Sequence, residues 1–327
     1  MIFQQFYKKF ILDFKKEYEG GVVKTLPLSF YGPIHYTLNN PGKQIRPALL
    51  CAVYSALSAG KISKAIPAAK GIEMIHNFTL IHDDIMDGDD IRHGHSTVNA
   101  KWNDNVAILA GDGLFAIALQ QFEAYCDQPE LFSKIMPEVL NAVIVVSEGQ
   151  AEDLEFEDRD DVRLEEYLEM VSKKTAKLLS VSAKIGALLA GADDGICLLI
   201  EKIIHELGIV FQIQDDLLEL TADEALMGKS LGSDLVKRKK TFPFLYAKEL
   251  LDANQWNYFL DIIDSNHIEN NGILPAKEFL KDNLIFDKIY KLIKLRHASI
   301  QEMINGLPAE SQETFTSIVE FVMNRKY

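Results

Sequence analysis

The sequence predicts an all-α fold, and three observations carry that reading. Apolar residues recur at spacings of three and four, as in Leu178, Val181 and Ile185 and again in Ile203, Leu207, Val210 and Ile213. Strand signals are scarce: "NAVIVV" is short and β-branched but runs into "SEGQAEDLEF" without alternation. Prolines and glycines punctuate the periodic segments, in "NNPGKQIRP", "CDQPELF", "AGADDG" and "NGILP". Together they predict roughly ten or more helices at a typical length of about 11–12 residues.

Taken in order, the opening "MIFQQFYKKFILDFKKEYEG" reads as an amphipathic helix. Lys8 and Lys9 interrupt its apolar side and no small-residue cleavage site follows, so a leader peptide is not expected. A helix is expected to begin near Pro47, with Lys43 and Arg46 three apart on one face. Ile72, Ile75 and Thr79 mark the helix that leads into "HDDIMDGDDIRHGH". The acidic run "GQAEDLEFEDRDDVRLEEYLEM" reads as a solvated helix end and loop, with Gln150 and Asp153 nearer a site. "TAKLLSVSAKIGALLAGA" comes closest to a membrane span, but Lys177 and Lys184 break it and no span is expected. "FQIQDDLLELTAD" ends another apolar helix, and the residues from Leu251 onward read as packing helices. Neither a repeat nor a long linker is visible. A single domain over residues 1–327 is expected, with its chemistry in about 40–250 and packing helices over about 251–327.

The 327 residues are 48% hydrophobic, enough for a large core. Lys plus Arg number 34 against 48 Asp plus Glu, a net charge of −14. That balance argues against nucleic acid or an anionic membrane as partner and leaves room for a local basic pocket. Cys51, Cys126 and Cys197 show neither a disulfide framework nor a zinc pattern, which suits a reducing cytoplasm.

Chemistry concentrates in two acid clusters. Asp83, Asp84, Asp87, Asp89 and Asp90 fall within eight residues; Asp215, Asp216 and Glu219 repeat the opening of that pattern. Residues four apart share a helix face, so Asp83 pairs with Asp87 and Asp215 with Glu219. Oxygen ligands without His or Cys suit Mg²⁺, which keeps some water and also binds phosphates. Acids at a helix C-terminus oppose the dipole, a local cost that hints at function. A solvated acidic face is the competing reading of either cluster alone. Lys43, Arg46, Arg92, Lys174 with Thr175, Lys229, and Lys239 with Thr241 offer cations for phosphate oxygens, although each could be an ordinary surface residue. "MGKS" lacks the glycine-rich loop of a nucleotide-binding P-loop.

In combination these residues resemble the trans-isoprenyl diphosphate synthases, the polyprenyl synthetase family. "DDIMD" resembles that family's first aspartate-rich motif and "DDLLE" its second. "GKQIRP", "IHNFTLIHDD", "GQAED", "KT" at 174–175, "FQIQDD" and "KKTFP" fall in the family's order. The resemblance runs from about residue 40 to 250. It implies an all-α bundle around a central cavity, a homodimer, and condensation of isopentenyl diphosphate with an allylic diphosphate. By motif it implies that Asp83, Asp87 and Asp215 ligate Mg²⁺, with Asp84, Asp216 and Glu219 in support. It places Arg92, Lys174, Thr175, Gln212, Lys229 and Lys239 on the allylic diphosphate. It places Lys43, Arg46, His76 and His93 on the diphosphate of isopentenyl diphosphate. Phe78, with Thr79 and Ile75, would set product length, and the aromatic at 78 without one at 79 implies a geranylgeranyl product, with farnesyl as the alternative. Ordinary core packing is the competing reading of Phe78. Three positions depart from the pattern: Glu219 stands for Asp, His93 for Arg, and Arg238 for the glycine before Lys239. A terpene cyclase would leave Lys43, Arg46 and His76 without a role, and a non-catalytic subunit would have no need of both clusters.

Overall fold

Apolar spacing becomes helix along nearly the whole chain. The computed structural model describes residues 1–19, 22, 24–221, 233–236, 238–264 and 273–324. Sixteen α-helices lie among the described residues, and the backbone divides into two compact units. One comprises Met1–Ile144, Leu178–Ile204 and Ile304–Phe321; the other comprises Val145–Lys177, His205–Met303 and Val322–Tyr327.

The first unit opens with α1 (Phe3–Glu19), α2 (Leu28–Asn39), α3 (Ile45–Leu57) and the long α4 (Ile66–Asp87). A short antiparallel hairpin follows, β1 (Ile91–Arg92) and β2 (His95–Ser96), then α5 (Val98–Lys101) and α6 (Asp104–Gln120). α4 packs on α6 and α3, and α2 lies against α6. Ile72, Met74 and Ile75 of α4 and Leu49, Leu50 and Val53 of α3 are buried in this core. The amphipathic reading of α1 holds: Lys8 and Lys9 face solvent, while Phe10, Phe14 and Tyr18 are buried. Those rings stack along one face, with centroids 4.9 Å apart for Phe10–Phe14 and 5.5 Å for Phe14–Tyr18.

α3 begins at Ile45, close to the start expected near Pro47, and Gln44 before it adopts a left-handed conformation (φ 50) that stops the helix from starting earlier. Lys43 therefore sits in the preceding loop, and only Arg46 lies on the helix. The hairpin, unforeseen in the sequence, is two residues long on each strand, too short to show alternation.

α7 (Pro129–Glu157), which includes "NAVIVV", and α10 (Asp194–Thr221) each contribute residues to both units, and α9 (Lys177–Ala190) belongs almost wholly to the first. The second unit contains α8 (Leu164–Val171), a π-helical turn over Ser172–Ala176, and the end of α10. It continues with α11 (Ser233–Val236), α12 (Phe242–Leu250), α13 (Ala253–Asp264), α14 (Leu274–Asp282) and most of α15 (Ile285–Ile304). α12 packs on α8, and α13 on α14. α16 (Ala309–Met323) closes the described chain.

One described stretch, Asp104–Tyr125, is long and apolar enough to cross a membrane by length and composition, with a mean hydropathy of 1.3. The sequence pointed instead to 175–192. α6 is apolar on more than one side because it meets both α4 and α2, while Ile108 and Leu109 remain exposed.

Candidate active site

In the first unit, α4 ends on its acids. Gly88 takes the left-handed conformation (φ 66) that terminates the helix, and its N–H donates to the Asp84 carbonyl. Asp83 is half-buried, Asp84 is buried and Asp87 is exposed. Asp84 accepts from Arg92 Nε; burial pushes its carboxyl up to about 6 although Arg92 pulls the other way. The second acid of the pair thus holds Arg92, while Asp83 and Asp87 share the face one turn apart.

Arg92 pairs with His95 across the hairpin, and the turn between them is His93 and Gly94, with φ 52 and 79. Two successive positive φ values are what a tight two-residue hairpin turn demands. The His93 ring lies where a side chain on residue 42 would go: a Cβ there would be 2.6 Å from Cε1 of the imidazole, so any larger residue at Gly42 would push the ring aside. His93 is thereby set beside the Lys43 loop, whose Lys43 carbonyl accepts from the Tyr7 hydroxyl of α1. Arg46 Nη1 is 3.0 Å from His76 Nε2. Burial, followed by the charges of Arg46 and Arg92, holds His76 well below the ordinary imidazole value, so it is neutral and accepts from Arg46. Lys43, Arg46, His76 and His93 are thus gathered around the GK loop. Asp84, Arg92 and His93 also line an open recess of about 410 Å³ with Tyr36, Asn40 and Asn77.

Phe78 packs against Phe115 of α6 with the rings tilted by 34° (centroids 5.2 Å) and meets His82 edge-on (5.0 Å). The Thr79 hydroxyl turns back to the His76 carbonyl at 2.8 Å. Ile75 is buried in the core. Phe115 was not singled out in the sequence, where nothing but its tertiary neighbour distinguishes it from core.

The second unit repeats the logic of the first. Asp215 is half-buried, while Asp216 is buried and accepts from Tyr167 Oη (2.5 Å), the Phe242 amide (2.8 Å) and Gln212 Nε2 (2.9 Å). Burial pushes Asp216 up to about 6 against these bonds. Thr175 Oγ1 donates to Gln212 Oε1 at 3.1 Å, so Thr175, Gln212 and Asp216 form one chain. Glu219 accepts from the Asp234 amide (3.3 Å), and burial with the Asp234 carboxylate beside it raises it to about 7. Tyr167 and Asp234 are contributors that sequence reasoning missed.

The π-helical turn presents Lys174, whose ammonium meets Asp153 at 2.7 Å. This turn is pressed between two glycines. A Cβ on Gly149 would lie 2.5 Å from the Lys174 amide nitrogen, and one on Gly208 would lie 2.7 Å from the Ala176 Cα. Gln150 is buried with both side-chain amide atoms unpartnered. The acidic run around it is therefore only partly a solvated end: Asp153 and Glu152 hold Lys174 and Lys173. Lys174, Thr175, Gln212, Asp216 and Lys239 line a recess of about 470 Å³. Arg238, at the position expected to be glycine, keeps a glycine-like φ of 52 and pairs with Asp264. Lys229 lies outside the described residues.

Among the described residues, no group of three His, Cys, Asp or Glu stands ready to enclose a metal ion. The pair Asp83 and Asp87, all oxygen and one turn apart, fits a hard cation that takes few protein ligands and keeps water and phosphate oxygens.

The model of the polyprenyl synthetase family matches residues 28–278. The chain is 36% identical over 319 residues to a geranylgeranyl diphosphate synthase of Sulfolobus acidocaldarius, covering 96% of this chain and 95% of that one. It is 35% identical over 297 residues to a short chain isoprenyl diphosphate synthase of Methanocaldococcus jannaschii, covering 91% and 89%. The crystal structure of a geranylgeranyl pyrophosphate synthetase from Pyrococcus horikoshii superposes with a TM-score of 0.86 at 33% identity, over 99% of this chain and 98% of that one. With its paired acids, its GK loop and its helical fold, the chain belongs to the polyprenyl synthetase family, the trans-isoprenyl diphosphate synthases.

Proposed function

We propose that this prenyltransferase condenses isopentenyl diphosphate with an allylic diphosphate and that its product is geranylgeranyl diphosphate. The observation that carries the reading is the doubled arrangement: in each unit a half-buried Asp precedes a buried, hydrogen-bonded Asp, with cations close by. Geranylgeranyl synthases among the relatives, at 36% identity and at 41% for that of Saccharolobus solfataricus, support the product.

Asp83, Asp87 and Asp215 would hold Mg²⁺, with Asp84, Asp216 and Glu219 supporting them. Bound there, Mg²⁺ supplies positive charge to the diphosphate leaving group. Arg92, Lys174, Thr175, Gln212, Lys229 and Lys239 bind the allylic diphosphate and stabilise the charge that grows on it as the C–O bond breaks. Lys43, Arg46, His76 and His93 hold isopentenyl diphosphate so that its double bond attacks the allylic carbon. One C–C bond forms, and the proton lost from the condensed product passes to pyrophosphate, so no protein base is required. Apolar walls around Phe78 and Phe115 keep water from the cation and limit the chain's growth. We also propose a homodimer, supported by Ile108 and Leu109 on α6 and Leu140 and Ile144 on α7, all exposed. A cytoplasmic location agrees with three unpaired cysteines.

The test is incubation with dimethylallyl, geranyl or farnesyl diphosphate, isopentenyl diphosphate and Mg²⁺, followed by chromatography. A C20 product is expected, a C15 end product would favour the farnesyl reading, and no condensation would overturn both.

A further inference from the structure

α4 carries one acid that the reaction above leaves without a task. Glu73 lies one turn before His76, is 2% exposed, and has an Oε2 with no hydrogen-bond partner. Nε of Arg46 is likewise buried and unpartnered, while the hydrogen bond of its guanidinium goes to His76. The bond to His76 nevertheless holds the Arg46 guanidinium against α4 one turn from Glu73, with both side chains buried. Burial lowers the Arg46 pKa and the Glu73 charge supports it; burial raises Glu73 to about 7 and Arg46 opposes the rise. The other groups facing Glu73 are the phenols of Tyr7 and Tyr18 from α1, both raised by burial and by the charge of Glu73. On α4 itself they are neutral His76 and Asn77, which donates to the Tyr18 hydroxyl and the Glu73 carbonyl.

A buried polar atom left unsatisfied is costly, because it has given up water without gaining a partner. A buried guanidinium with no counter-charge costs more. Here Glu73 is the acid that supports the charge of Arg46, and the Arg46 fork is not locked to its carboxylate. That is the arrangement for a cation that must exchange one anion for another.

We propose that Glu73 is the resident counter-ion of Arg46 and yields it to the diphosphate of isopentenyl diphosphate, taking up a proton from solvent as it does so. The inference rests on the functional reading above. Once diphosphate charge compensates Arg46, the Glu73 carboxylate faces an anion, and protonation removes the repulsion. Glu73 acts through Arg46 and is a positioning residue.

The test is calorimetric titration of the whole protein with isopentenyl diphosphate in metal-free solution at pH 8, in two buffers of different ionisation heat. Wild type is expected to take up about half a proton or more beyond what Glu73→Gln takes up. Its affinity should fall between pH 7 and 9, by at most about tenfold per unit, while that of Glu73→Gln stays flat. Equal proton counts, or a variant weakened by the same factor at every pH, would overturn the proposal. Should Glu73→Gln not fold, infrared difference spectra of wild type decide: a protonated-carboxyl band appearing on binding supports it, and its absence rejects it. Wild type that does not bind isopentenyl diphosphate at all would sink the functional reading itself.

Discussion

Within each Asp-Asp pair the two carboxylates sit in different surroundings, the first half-buried and the second buried. Asp84 and Asp216 are spent on the protein, the one holding Arg92 and the other gathering Tyr167, Gln212 and the Phe242 amide. Asp83 is the half-buried member of its pair. Asp83→Ala is therefore expected to lower turnover by about 10²-fold, the scale of lost transition-state charge stabilisation. Its melting temperature should stay at or above wild type, since one acid fewer relieves repulsion. Near-normal turnover in the folded variant would remove Asp83 from the site. The sequence displayed all of these acids, and the family resemblance already set Asp84 and Asp216 apart as supporting groups, but it could not name the protein groups they hold, because those come together only in the folded chain. Lys43, Arg46 and Lys174 were singled out only as members of an ordered set of motifs, since each alone reads as an ordinary surface cation. Tyr167, Phe115 and Glu73 were not, being ordinary in type and special only in their neighbours. Arg238 shows the converse: the residue changed from the expected glycine, yet the left-handed backbone stayed, at a cost of about 1–2 kcal/mol.

At the scale of elements, α4 organises the first set of residues, with His76, Phe78, Asp83 and Asp87 all along its length. Helix periodicity made it readable. The start of α3 near Pro47 was readable too, whereas the π-helical turn at Ser172–Ala176 is invisible to a pattern that assumes 3.6 residues per turn. Phe78 packs on Phe115, so the proposed floor is an aromatic pair shared by α4 and α6. Phe78→Ala should lengthen the products by at least one isoprene unit, and Phe115→Ala should act in the same direction. Wild-type product distributions from both active variants would show that this pair does not set length.

For the whole molecule, burial raises Glu73 and Glu219 to about 7 and Asp84 and Asp216 to about 6. A carboxyl whose folded pKa is raised stabilises the folded chain fully below its ordinary value, near 4, and loses that contribution as pH rises through 6 to 7. His76 runs the other way: its depressed value favours the fold above about 6.5 and is lost on acidification. Four groups oppose one, so the melting temperature of the metal-free protein should fall from about pH 5.5 to about pH 8. Mg²⁺ with pyrophosphate should restore part of it at the higher pH. A melting temperature that rises across this interval would contradict the buried setting of these acids.

The matched family span begins at residue 28, and every motif residue lies inside it. α1 lies outside, yet its Tyr7 hydroxyl holds the Lys43 carbonyl and its Tyr18 meets Asn77 beneath the Arg46–His76 pair. A fragment trimmed to residues 28–278 would thus retain the full inventory of signature residues and lack the support that α1 gives the Lys43 loop. The smallest piece of this chain able to do its work is defined by what braces the motifs rather than by the motifs themselves.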